Sequence, residues 1–471
     1  MLDALRPALV ITRREIRDQF RDWRIFFPAF GLTLFFPTLM NFTARQLLNF
    51  VEQYGANIIN ERLVPFFLLI VGFFPISVSL VIALESFVGE KERGSIEPLL
   101  NSPLKDWQLY LGKLLAVVVP PLLYSYIGMG VYLLGLYRQG VVLPHFSLLL
   151  QIFMLTTVQA VMMVSGAVVV STQATSVRSA NLLASFIVIP TALLIQGESV
   201  IMFWGDYSTL WWVVFGIFVL SVLLVRVGLA HFQREELLGR ELDVLNIRWI
   251  WGVLRSSFTG DTRSVKQWYI HIFRQAIPGM KKSILVILLI MAVGIWIGYT
   301  QVERLSMPWL ATSGDEVMLR VQSLVQVLPS LGFTPVGLIL WQNIRVLLIS
   351  LVAGVCTLGI LGVIPLIATM GMVGFLAGVM QAQGYSNLVF AGLVLPHGIF
   401  ELPAAALATA AVLHTGVLLA TPTPGKTIGE AWLSALANWF KIMVGIVMPL
   451  LIIGAMVEVW ITPQIALILL R

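Results

Sequence analysis

Four ionisable side chains fall inside long apolar runs of this 471-residue chain, where lipid makes charge costly and keeps it for pairing or function. Arg345, with Asn343 two residues before it, lies early in one run; His397 and Glu401 share another; Glu458 closes a third. Pro396 breaks or starts a helix at that point, and a spacing of four puts His397 and Glu401 on one helical face. Three kinds of chemistry fit this intramembrane polar cluster. The plainest is an interhelical ion pair of Arg345 with Glu401 or Glu458 that fixes packing. The second is a polar lining for a binding or transport surface. A metal-bound catalytic centre is the weakest, because HxxxE supplies two ligands, lacks the HExxH arrangement, and leaves His414 several turns away. Neither a catalytic residue nor a metal ligand set is therefore expected.

Nucleotide chemistry within the chain is also not expected. The only GKT is Gly425, Lys426 and Thr427, and the position five before that glycine is Ala420 where a phosphate-binding loop needs glycine. An apolar span precedes it in place of a strand, so a short Pro/Gly turn is the better reading. Any ATP, with its Mg, must be bound by a partner.

The densest polar stretch is the island Glu85 to Lys113, lying between two apolar runs. Gly94 should break the helix that carries Glu90, Lys91, Glu92 and Arg93, since glycine takes positive φ without strain. Ser95 can cap a new helix whose first turn holds Glu97 and Pro98, a carboxylate and a proline suited to a helix start. Ser102 and Pro103 repeat the start signal before a helix that runs through Trp107 and Tyr110 into the next span.

The elements that must position these residues are set by composition. With 58% hydrophobic and 11% charged residues and a mean hydropathy of +0.91, the chain reads as an all-α polytopic membrane protein. About eleven stretches approach the ~20 apolar residues of a transmembrane helix, near 25–42, 62–84, 114–137, 145–170, 180–196, 209–230, 283–300, 337–358, 362–381, 387–419 and 442–461. The first follows a charged segment and shows no small-residue cleavage site, so it reads as a retained span. With the N-terminus inside, 23 of the 30 basic residues become cytoplasmic, as the positive-inside bias requires. The +6 charge thus reads as topology, with no basic face for nucleic acid, and Arg345, Glu401 and Glu458 all fall in the outer half of the bilayer. The single Cys356 excludes an intrachain disulfide.

Polar segment 231–282 divides six spans from five, giving domains at 1–235 and 283–471 with a cytoplasmic or interfacial linker at 236–282. Within it, Trp249, Ile250, Trp251, Val253 and Leu254 fit either a helix in the headgroup region or a solvated linker. Residues 1–24 alternate Leu2, Leu5, Leu9, Ile16, Phe20 and Trp23 with arginines, an amphipathic N-terminal interfacial helix. In the second half, Gly374 and Gly378 permit close helix approach, read as ordinary tight packing in preference to a dimer contact. Turn 359–365 carries no charge, leaving open a re-entrant hairpin or two full spans.

The island resembles the permease subunits of type-2 ABC exporters through Glu92, Arg93, Gly94, Ser95, Glu97, Leu99, Leu100, Ser102 and Pro103, followed by Leu111, Gly112 and Lys113, over about residues 8 to 235. The resemblance implies a coupling helix that seats in a separate cytoplasmic ABC ATPase, with Glu90 through Pro103 as the docking surface, and a homodimer or heterodimer of permeases. The second half, through Asn343, Arg345, Pro396, His397, Gly398, Glu401, Leu402, Pro403, Glu458, Thr462 and Pro463, resembles the stage II sporulation protein M family over about 268 to 468. That family implies anchoring or organising of extracytoplasmic cell-wall enzymes. The combination points to a multi-pass protein of the prokaryotic cell (inner) membrane, in contact with membrane lipids, serving as an exporter permease for an unknown, lipidic or envelope-related substrate. The alternative is a membrane scaffold that recruits cell-wall enzymes and uses a partner's ATP hydrolysis for signalling. A third reading, an intramembrane hydrolase, would rest on His397 and Glu401.

Overall fold

A computed structural model describes residues 2–54, 57–95, 101–174, 176–204, 207–230, 232, 247–260, 262–302, 332–421 and 428–470. Helices carry almost all of them, with no strand among the described residues, as hydrocarbon requires of a backbone that must satisfy its own hydrogen bonds. Among the described residues, eleven helical segments are long and apolar enough to cross a membrane: 26–47, 62–92, 106–138, 146–172, 177–203, 207–230, 281–300, 334–355, 361–382, 387–418 and 429–460. The chain is a multi-pass, all-α membrane protein. It forms two compact units, Met1–Leu245 and Asn246–Arg471.

The first unit contains α1 (Leu2–Arg21), α2 (Trp23–Tyr54), α3 (Asn57–Glu92), α4 (Asp106–Arg138), α5 (Phe146–Gln173), α6 (Val177–Leu183), α7 (Ser185–Trp204) and α8 (Tyr207–Ala230). Helix α5 packs against both α3 and α8, and α4 packs against α1, α2 and α3. The shared core is built on Leu84, Phe87, Leu109, Tyr110, Val164 and Val168. Helix α1 attaches to α4 through a small and polar stripe. Ala8 and Thr12 are buried there, the Thr12 hydroxyl donates to the carbonyls of Ala8 and Gly112 at 3.0 Å each, and the Gln19 amide donates to Ala116 O at 3.3 Å. The large apolar residues Leu9, Val10, Phe20 and Trp23 remain exposed, the face such an interfacial helix offers to lipid.

The polar island is shorter than its sequence suggests. Helix α3 continues to Glu92 and α4 begins at Asp106 with Lys105 as N-cap, so Ser102 and Pro103 precede the helix start without capping it. The extension past the apolar run holds because Phe87 and Val88 are fully buried. Gly94 does stop α3: its φ is +66°, Ser95 N–H donates to Glu90 O at 3.0 Å and Gly94 N–H to Lys91 O at 3.1 Å, the paired bonds of a Schellman ending. Glu97 and Pro98, with the short helix expected there, lie outside the described residues, as does the Gly425–Thr427 turn.

The second unit contains α9 (Ile247–Thr259), α10 (Val265–His271), α11 (Lys281–Thr300), α12 (Thr334–Cys356), α13 (Ile364–Ala382), α14 (Asn387–Ala420), α15 (Ile428–Ile442), α16 (Met448–Trp460) and α17 (Thr462–Leu470). Residues 247–282 thus form helices of this unit: α9 packs on α15, Ser257 hydrogen-bonds Ser434 at 3.2 Å, and Trp249 and Trp251 stay exposed. The eleventh span starts well before residue 442. A π turn at Met443–Val447 joins α15 to α16, which carries the helix past Pro449 without a break.

Close packing in this unit runs through glycine. A Cβ at Gly298 would overlap the carbonyl of Gly371, one at Gly374 the carbonyl of Ile295, and one at Gly378 the side chain of Val302. The Gly374 and Gly378 pair therefore seats α13 on α11, as small residues do in membranes. At the 359–365 turn, Leu358 and Gly359 have φ of +52° and +90°, and the flanking segments 334–355 and 361–382 each have the length of a full span. Gly298→Leu should separate α11 from α13 and destabilise the protein by roughly 3 kcal/mol or more, read as a lowered melting temperature in detergent.

Candidate functional site

In the first unit, polar side chains at the loop between the second and third spans close on one another. Lys113 of α4 is 2% exposed. Its ammonium lies 3.4 Å from Glu15 of α1 and 3.5 Å from Glu90 of α3, donates to Ser86 O at 2.9 Å, and stands 5.3 Å from the centre of the Phe87 ring. One cation thus ties three helices. Ser95 donates its hydroxyl to the other oxygen of Glu90. A cavity of about 210 Å³ opens beside this group, lined by Glu15, Asp18, Asp22, Glu85, Glu90 and Arg93 among others.

The neighbours of Glu90 serve helix ends. Lys91 donates to Thr172 O at 3.2 Å and Ala174 O at 3.1 Å, at the C-terminus of α5, while a Glu92 oxygen accepts from Val177 N–H at 2.7 Å, at the N-terminus of α6. Each charge matches the helix dipole it meets. Of the residues expected to dock a partner, Glu90 and Glu92 are therefore engaged within the unit; Arg93, Gly94 and Pro103 are exposed.

Sequence reasoning missed Glu198 of α7. It is 1% exposed and accepts a hydrogen bond from Gln159 of α5 at 2.5 Å. Its signal was visible as an acidic residue in an apolar run, late in the fifth span.

In the second unit, α12, α14, α16 and α17 converge on the polar cluster. Ligand-capable atoms of His397, Glu401 and Glu458 lie within 4.8 Å of one another. Asn343 donates to Glu401 Oε1 at 3.0 Å, and His397 Nδ1 lies 3.2 Å from the Thr462 hydroxyl. Gly454 makes room for the acid, since a Cβ there would stand 2.6 Å from Glu401 Cγ. Arg345 takes no part: it is exposed, donates to Gln342 Oε1 at 2.6 Å, and pairs with neither Glu401 nor Glu458 among the described residues. The expected ion pair is thus absent among the described residues, because Arg345 turns to Gln342 and faces away from the cluster. Lys441 is fully buried in α15.

Removing the shared cation should test the brace in the first unit. Lys113→Met leaves Glu15 and Glu90 facing each other and should lose about 3 kcal/mol of stability, seen as a lowered melting temperature, with Glu15→Gln in the same chain restoring part of it.

Residues 283–463 match the family described as stage II sporulation protein M. An uncharacterized protein of Methanocaldococcus jannaschii, MJ0793, is 28% identical over 195 residues, covering 41% of this chain and 99% of its own length. No solved structure matches the chain. Residues 9–299, more than half of the chain and extending beyond the region that resembled a permease from its motifs, match the family described as ABC-2 family transporter protein. The chain belongs to the ABC-2 family of transporter membrane proteins, with a stage II sporulation protein M domain fused behind it.

Proposed function

We propose that this chain is the permease subunit of an ABC exporter in the prokaryotic cell membrane, driven by a separate cytoplasmic ATPase that binds ATP and Mg. Family membership supports the permease role and implies an ATPase partner. The observation that carries the docking assignment is the brace beneath the loop. Lys113, Lys91 and Glu92 join the loop's base to α1, α4, α5 and α6, so a load on the loop reaches several spans at once. With Glu90 and Glu92 used internally, the exposed residues Arg93, Gly94 and Pro103 belong to the docking face. A pair of permeases completes the pathway. The substrate is envelope-related and lipidic or amphipathic, and the second unit acts on the side where the polar cluster lies.

The match over 283–463 favours one further reading, in which the second unit recruits extracytoplasmic cell-wall enzymes and the ATPase supplies a conformational signal. Arg93→Glu decides whether the loop docks an ATPase. Co-purified ATP hydrolysis should fall roughly tenfold, as expected for charge reversal at an interface, with the melting temperature unchanged. Full retention of ATPase binding and activity would remove the loop as the docking site.

A further inference from the structure

Among the described residues, no basic side chain pairs with the acids of the polar cluster in the second unit. Ligand-capable atoms of Glu401 and Glu458 lie within 4.8 Å of each other and of His397, and Arg345 turns to Gln342. Two carboxylates at that distance in a low-dielectric setting repel strongly unless they share a proton or a positive charge stands between them, and the imidazole beside them makes the set one that a cation can bridge. The set also has the outer partners that a ligated ion requires. Thr462 meets the His397 ring at Nδ1 and Asn343 donates to Glu401, contacts of the kind that fix a ring's tautomer and orient a ligating carboxylate. Gly454 leaves space for the Glu401 side chain against α16. From these observations we infer that His397, Glu401 and Glu458 bind one divalent transition-metal cation within the second unit.

One imidazole and two carboxylates suit zinc, manganese or iron(II), whereas calcium and magnesium favour all-oxygen shells. Three protein ligands leave a coordination position to fill. Glu401 and Asn343 also line a cavity of about 410 Å³ with Ser350, Thr409 and Met370 among its walls, so water or a small oxygen ligand reaches the ion from that side. The sequence motif HxxxE supplies only two of these ligands; the third comes from α16, and the hydroxyl supporting the histidine from α17. The inference is independent of ATPase docking.

The full-length chain, purified in detergent and stripped with EDTA, should be titrated with zinc chloride and separately with manganese chloride, and bound metal measured after gel filtration. The wild type should hold one equivalent per chain of at least one of them. Glu458→Gln and His397→Ala should each lower affinity at least a hundredfold, Thr462→Val about tenfold, and Arg345→Gln not at all. The saturating metal should raise the melting temperature of the wild type but not of Glu458→Gln, a replacement of equal size that keeps the test valid if His397→Ala does not fold. Absence of stoichiometric binding in the wild type, or binding unchanged in Glu458→Gln, would overturn the site; the latter would mean surface metal only.

Discussion

At the edge of a hydrocarbon layer a charged side chain must find its partner within the protein, and in the first unit that demand is met by the ammonium of Lys113. Two carboxylates, a carbonyl and an aromatic ring converge on it from two other helices. Take the cation away and Glu15 and Glu90 become adjacent like charges, α1 loses its charged tie to α4, and the base of the loop loses its anchor. The buried position of Lys113 also explains why the helix starting at Asp106 must run straight into the third span: the residue that unites the helices sits two turns into it.

The second unit answers the same demand differently. Its helices α11 and α13 touch backbone to backbone through glycines, so shape supplies the packing and no ion pair is needed to hold them. Acidic charge gathers where α12, α14 and α16 meet, while Arg345 points elsewhere. A protein that needed only mechanical strength there would have paired the arginine inward. The two units therefore use charge for opposite purposes, one neutralising it locally and the other concentrating it.

Much of this was readable in the residues, and the boundary of what was readable is physical. Hydropathy gave eleven spans because the bilayer fixes their length, and Gly94 announced the end of α3 because only glycine enters that φ region freely. The helical face shared by His397 and Glu401 was also legible from their spacing of four. Direction around each helix axis was not. That is why Arg345 was expected to pair with a glutamate and does not among the described residues, and why the meeting of His397 with Thr462 across 65 positions went unseen. The enclosure of Lys441 and Glu198 was likewise not legible, since packing alone decides whether a charge in or near a span is buried in protein.

Glu92 accepts a bond from the first turn of α6, a helix of seven residues that leads through Ala184 directly into α7. The last residue of the second span is thereby joined to the beginning of the fifth, across a loop that the chain itself enters only after two further spans. Motion need not travel along the sequence to get there. A tilt of the second span's end would therefore bear on the root of the fifth, the span that carries the buried Glu198.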